Sequence, residues 1–460
     1  MSSKGSSVAF AIGVLIILAQ FLNYLDIYLY AEELVPIPSF STVCVAIIGA
    51  GYCAVSWPAA GRVLINAPEL KTLLFFGIGM QISIIGLLIN GGTSEMLYQF
   101  LKTDVHLGFY LILAAVGANT FFASNLLKIL TVYVAIGLVL ALLAVLQFLH
   151  LNVVQLPGIE PVLFGCAPVG TNTDTWRTAA VFSEPSWFAP YVIDWIAITL
   201  AWFIARRHLR IMLLLLPLSA AFVCCSALTG YLSLLLLIAL TTFSFPAFRL
   251  QIRAILLIFA SLATAAITVA AANPYFQTAL ATRIRDVTTG SDASGNSRLD
   301  TSLAGLQVGR EHVAFGVGIG NGAFYIPSYY RHWASYPHES GATMGRVTCD
   351  SYLSLLFAEH GLIGWLLLAG LVYKLIEKPS QRLVLWRTLS AERRCDWLGG
   401  MREIGIFRIA FRNIVCINMI QLAFSGNFLH PRLWINVSIL IALKWMETVR
   451  QFRPQDAKCQ

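Results

Sequence analysis

Apolar runs dominate the chain and are broken by short polar stretches. A helix crossing a bilayer needs roughly 17 to 25 mostly apolar residues, and about twelve such runs can be drawn, near 8–30, 41–61, 72–91, 105–123, 126–149, 185–204, 211–226, 229–246, 254–272, 352–373, 404–424 and 432–446. The predicted fold class is all-α, a polytopic membrane protein of about twelve transmembrane helices. Ser226–Gly230 reads as a tight turn between the seventh and eighth runs or as a kink inside one longer helix. The run after Lys4 continues through Asn23 and Asp26 without a small-residue cleavage site, which predicts an uncleaved first span. Three blocks follow: 1–272 with nine spans, a polar loop at 273–350 between spans nine and ten, and 351–460 with the last three spans.

Composition agrees with a membrane protein: 58% of residues are hydrophobic, 12% are charged, and the mean hydropathy is +0.74. The net charge of +8 could suggest nucleic acid, but the basic residues sit in short loops between apolar runs, where they fix topology. With the N-terminus inside, Arg62, Lys71, Lys128, Arg206, Arg207, Arg210, Arg249 and Arg253 fall in cytoplasmic loops. The segment 375–403, rich in charge and carrying Trp386 and Trp397, joins them as a solvated or interfacial amphipathic stretch. Both termini are then expected in the cytoplasm, with loops 150–184 and 273–350 on the other side of the membrane. The nine cysteines form no metal-binding pattern, although Cys166 and Cys349 share that outer side and leave a disulfide open.

The loop 273–350 cannot lie in a bilayer. It carries Arg283, Arg285, Arg298, Arg310, Arg331 and Arg346, and clustered guanidinium groups at a membrane surface suit an anionic ligand. Gly295–Leu306 reads as a turn entering an amphipathic helix, with Arg298 in its first turn; a surface ion pair with Asp292 or Asp300 is the plainer role for that arginine. Gly316-Val317-Gly318-Ile319-Gly320-Asn321-Gly322 resembles a dinucleotide fingerprint only superficially, since no strand-to-helix unit surrounds it. It predicts a turn in which Gly318, Gly320 and Asn321 let backbone approach a ligand or a neighbouring helix. The loop ends at Asp350, and Glu359 and His360 follow, inside the tenth span or, if that span starts near Leu362, at its interface.

In the earlier loop, Arg177 and Glu184 precede Pro185, which suits the first turn of a helix. By spacing alone, Arg177 snorkels to headgroups and Glu184 caps the helix, while Trp176, Trp187 and Tyr191 fit an interfacial aromatic belt.

The order of these pieces resembles the O-antigen polymerase and O-antigen ligase superfamily of polysaccharide membrane enzymes. The resemblance covers roughly 170–370: Arg177 before Phe182-Ser183-Glu184-Pro185-Ser186, Ser226-Ala227-Leu228-Thr229-Gly230, Arg298 before Phe315–Gly320, and Tyr352-Leu353 leading to Glu359-His360-Gly361-Leu362-Ile363-Gly364. It implies glycosyl transfer from a polyprenyl-pyrophosphate-linked oligosaccharide, with arginines on the diphosphate, and a chain-length regulator and flippase as pathway partners. The ligase branch opens its last motif with His, and here that position is Asp350, which tilts the expectation to a repeat-unit polymerase of the Wzy type over a glycan ligase. The candidate proton acceptors are Asp350, Glu184, Glu359 and His338. No Asp-x-Asp pair occurs, so the expectation is transfer without metal or other cofactor, with Arg177 and Arg298 neutralising the leaving group and Arg283, Arg285 and Arg310 around them. A transporter or flippase is the alternative of another class. It is disfavoured because the spans read as almost free of charge.

Overall fold

The computed structural model describes residues 3–22, 68–152, 185–225, 227–246, 293–329, 351–376, 397–423 and 430–451, with isolated positions at 178, 180, 182, 264, 268, 277, 278, 281, 282, 285 and 349. Every regular element among them is helical. In chain order these are α1 (Ser3–Leu22), α2 (Pro68–Met80), α3 (Ser83–Ile89), α4 (Ser94–Ala123), α5 (Leu126–Asn152), α6 (Pro185–Arg206), α7 (Leu209–Leu213), α8 (Leu215–Cys225) and α9 (Leu228–Ser244). After them come α10 (Ala293–Glu311), α11 (Gly322–Tyr325), a 3-10 turn (Ile326–Tyr329), α12 (Tyr352–Ile376), α13 (Trp397–Gln421) and α14 (Pro431–Gln451).

Among the described residues, five stretches are long and apolar enough to cross a membrane: Pro68–Ile89, Ser94–Ala123, Leu126–Leu151, Pro185–Arg206 and Tyr352–Ile376. Ser7–Leu18, Arg210–Cys225 and Thr229–Ser244 are shorter apolar helices. The runs at 41–61 and 254–272 lie outside the described residues, apart from isolated positions. Helix α8 ends at Cys225 and α9 starts at Leu228, so the seventh and eighth runs are two helices rather than one kinked helix. Local chemistry sets several boundaries. Pro185 and Pro431 open α6 and α14, where a missing N–H costs nothing. Thr93 caps α4 by accepting from the Met96 N–H at 3.3 Å.

Helix α6 is central: 83% of its apolar window is buried, and it packs against α5, α8, α9 and α13. Lipid is as apolar as leucine, so such helices associate by close fit and polar contacts rather than by expelling water. Gly137 of α5 shows the fit, since a Cβ there would overlap the Trp195 indole of α6. Side chains such as Leu74, Phe75, Leu88, Val139 and Leu235 stay exposed on the outside, as a lipid-facing surface requires.

Charged contacts gather at one end. Arg206 meets Glu403 at 3.0 Å, Arg408 meets Glu447 at 2.7 Å, and Lys444 reaches both Glu69 (3.3 Å) and the Lys374 carbonyl (2.9 Å). The basic segments that start α2 and end α6, α12 and α14 therefore share this end, and the α10–α12 assembly lies at the opposite one.

Candidate functional site

Helix α12 is broken at Gly361, whose φ of 61° and ψ of −153° cannot continue a helix. A break frees the last carbonyls of the first half and the first N–H groups of the second, and these need partners. The loop after α10 supplies them. Val317 N–H donates to the Ala358 carbonyl (2.9 Å), Gly318 N–H to the Glu359 carbonyl (3.0 Å), and Leu362 N–H to the Val313 carbonyl (2.7 Å). Contact this close excludes side chains. A Cβ on Gly316, itself at φ 68°, would overlap the Glu359 carbonyl, and one on Gly361 would overlap the Val313 carbonyl.

Helices α3 and α4 form the third wall. Ser83 Oγ accepts the Ile319 N–H (3.3 Å), and Asn90 Nδ2 donates to the Gly316 carbonyl (3.4 Å). Gly318 and Gly320 both take positive φ, and a Cβ on Gly320 would strike Thr103 of α4. The glycine run is thus a backbone clasp between helices. Glu359 lies inside it, 5% exposed, and its Oε1 accepts the Gly322 N–H (3.2 Å) at the start of α11. Asn321 is fully buried; its N–H donates to the Gly318 carbonyl (3.1 Å), while its side-chain oxygen has no hydrogen-bond partner among the described residues.

Helix α10 runs alongside the first half of α12, in the same direction. Thr301, Ala304 and Val308 form its buried face, and Gly305 lets Cys349 Sγ and Ser354 approach. The Cys349 thiol donates to the Thr301 carbonyl at 3.3 Å; Cys166, its candidate disulfide partner, lies outside the described residues. Arg298 is half-buried, and its carbonyl accepts from Thr301 Oγ1 (3.2 Å) and Ser302 Oγ (2.6 Å). Its position corrects the expected first turn, because α10 already begins at Ala293 and Gly295–Asn296 is helical. Packing of the buried face outweighs the roughly 1 kcal/mol that a helical glycine costs. Arg310 is exposed in the last turn, and Arg285 is exposed at an isolated position. At the end of α10, hydrogen bonds from Tyr329 and then Gln307 hold the Glu311 carboxyl below its ordinary range, and the same Tyr329 bond pushes that phenol up.

Arg177, Glu184, Arg283, His338 and Asp350 lie outside the described residues. The neighbours of the first two are visible. Thr178 N–H donates to the Cys224 carbonyl (3.2 Å), and Ala180 exchanges two hydrogen bonds with the Gln147 amide (2.9 and 2.8 Å). This segment therefore hangs on α5 and α8, whereas Arg298 hangs on α12. Phe182 packs at 5.0 Å on Tyr191, and Arg432 of α14 lies over the other side of that cluster, 5.4 Å from the Tyr191 ring centre.

Arg432 centres a buried network that the sequence pattern did not single out. Its Nε and Nη2 donate to Asp194 Oδ2 (2.7 Å) and Oδ1 (3.0 Å), a bidentate pair with the carboxylate fully buried. Nη2 also reaches Asn418 (2.6 Å) and Nη1 reaches Gln421 (3.3 Å), while Asn436 donates to Asp194 at 2.9 Å and Gln421 to Ser233 at 2.6 Å. The signal was available, since Asp194 interrupts an apolar run and Arg432 opens another, and ionisable residues in spans are rarely idle. The expectation of spans almost free of charge is thereby corrected: Asp194, Glu359, His360, Arg408 and Arg432 are all buried in helices.

A bundle whose described elements are all helical, several of them long and apolar enough to cross a membrane, with a polar helix clasped over a broken one, is that of an integral membrane protein. The model of the WcaD colanic acid polymerase family matches residues 43–384, and the chain belongs to that family. It is a repeat-unit polymerase for an exopolysaccharide, a glycosyltransferase-type enzyme whose substrate is a lipid-linked oligosaccharide. No curated protein and no solved structure matches the chain. The matched region contains all three walls of the clasp and ends before α13 and α14, so Arg432 lies beyond it.

Proposed function

We propose that the polymerase draws on a polyprenyl-pyrophosphate-linked glycan at the outer face of the bacterial inner membrane, without a metal ion. A hydroxyl of the next lipid-linked repeat attacks the anomeric carbon of the donor glycan. The bond from that carbon to the diphosphate breaks, and polyprenyl pyrophosphate leaves with the electron pair. Arg298 and Arg177 stabilise the charge on the leaving group, with Arg283, Arg285 and Arg310 drawing the anionic substrate in. Glu184, Asp350 or His338 accepts the hydroxyl proton. Glu359 positions the loop through Gly322, and Gly318, Gly320 and Asn321 offer backbone and a buried amide to the substrate.

In this scheme about twelve spans cross the membrane, both termini are cytoplasmic and 273–350 is periplasmic. The blocks 1–272, 273–350 and 351–460 then act as scaffold, catalytic loop and closing helices. The gathering of Arg206, Lys374, Arg408 and Lys444 at one end supports that orientation. A flippase and a chain-length regulator of the same pathway are the expected partners.

The observation that carries the proposal is a guanidinium-bearing helix whose following loop is fastened by backbone to the break in an apolar helix of membrane-crossing length. The test is reconstitution with a defined lipid-linked repeat, with and without EDTA. Product ladders should survive chelation, and Arg298→Ala should lower polymer on the order of a hundredfold while single lipid-linked repeats accumulate. Ladders lost with EDTA, or full-rate polymerisation by Arg298→Ala, would overturn the assignment.

A further inference from the structure

Helix α10 is apolar on two faces, and among the described residues protein covers only one of them. Opposite its packed face, Leu299, Leu303 and Leu306 are 58%, 51% and 36% exposed, and Val313 in the loop beyond is 47% exposed. At 100° per residue, the three leucines fall on one stripe. We propose that this stripe is seated in the acyl chains of the outer leaflet, making α10 an interfacial helix that holds Arg298 and Arg310 at the level of lipid phosphate.

Three observations point to lipid as the occupant. The first is continuity with a lipid-facing surface: the Val313 carbonyl accepts the Leu362 N–H, and from there Leu362 and Leu366 are 47% and 63% exposed along the second half of α12. Apolar surface therefore passes from the external helix onto a membrane-crossing one. The second is an aromatic marker at that corner. Trp365 packs at 4.8 Å on Phe357 and donates its indole N–H to the Leu353 carbonyl (2.9 Å), the amphipathic placement tryptophan takes at a bilayer interface. The third is the position of the cations. Arg310 lies in line with the stripe and Arg298 directly precedes Leu299, so both stems can follow apolar surface while their guanidinium groups stay with the headgroups. An interfacial helix combines such features, an inserted apolar face edged by arginine.

The inference rests on the proposed chemistry for its purpose, which is to bring Arg298 level with the carrier lipid's diphosphate, but its test needs no turnover. The full chain carrying Leu303→Cys or Leu306→Cys is labelled with a nitroxide, reconstituted into phosphatidylethanolamine/phosphatidylglycerol vesicles, and compared with the parent chain taken through the same labelling. Oxygen accessibility several-fold above that of a water-soluble nickel complex is expected at both sites. Nickel accessibility equal to or above oxygen's would place the stripe in water and overturn the proposal. Low accessibility to both, with dipolar broadening between labels, would mean that a second copy covers the face, and would overturn it too. In the same vesicles, Leu299→Asn/Leu303→Asn/Leu306→Asn should raise the KM for lipid-linked donor with little change in kcat. Lipid-buried labels combined with an active Arg298→Ala would remove the proposed chemistry and leave the interfacial helix standing.

Discussion

Asp194 and Glu359 are both carboxylates buried in an apolar chain, yet side chains meet the first and backbone meets the second. Asp194 is neutralised by a bidentate guanidinium and by Asn436, with Asn418 and Gln421 taking the remaining guanidinium donors. Glu359 accepts a main-chain N–H, and the residues around it are stitched to a loop by three main-chain hydrogen bonds. The bundle centre therefore depends on which side chains are present, and the clasp depends on where side chains are absent. Polar residues lock helices against one another in the first case; glycine permits close backbone approach in the second.

Substitutions should separate the two regions. The largest effect is expected at the centre, where Asp194→Ala leaves the Arg432 guanidinium buried without its counter-ion and should cost about 3–5 kcal/mol. Loss of the monodisperse peak in detergent chromatography would report it, and Asp194→Leu with Arg432→Met should restore much of what the single change removes. A wild-type melting curve for the single variant would end the contrast. The next effect is at the clasp. Gly316→Ala forces a Cβ onto the Glu359 carbonyl in a left-handed conformation, a strain on the order of 1–3 kcal/mol. Because the strain is local, polymer output should fall while the detergent melting temperature of the bundle stays nearly unchanged; a matching fall in both would show that the clasp and the bundle fold as one unit. The smallest effect is expected at the charged end. Arg206→Ala breaks a pair whose arginine is 47% exposed, so it should cost less than about 1 kcal/mol and leave polymer yield alone.

The clasp was half-legible in the sequence. Gly316–Gly322 announced a turn that comes close to something, because so many glycines outside a helix have little other use. What it approaches could not be read, since the partner is main chain released by a break at Gly361, and residues 352–376 are otherwise a uniform apolar run. The same break decides the position of Glu359: it sits two residues before the corner rather than deep in a continuous helix. The start of α10 was misplaced because Gly295 and Asn296 look like a turn locally, while the packing that overrides them comes from α12. Asp194 and Arg432 were individually visible as charges in apolar company. Their pairing was not, as 238 residues separate them and neither carries a local motif.

That separation bears on how the protein is made. The helix beginning at Pro431 leaves the ribosome long after the one that holds Asp194, and until it arrives that carboxylate lacks the guanidinium it meets in the finished bundle. A chain cut short before that point keeps all five membrane-length helices found among the described residues, together with the clasp, but buries Asp194 without its counter-ion. Arrival of that helix thus closes the charge balance of the bundle, and a product truncated before it carries an electrostatic fault at its centre.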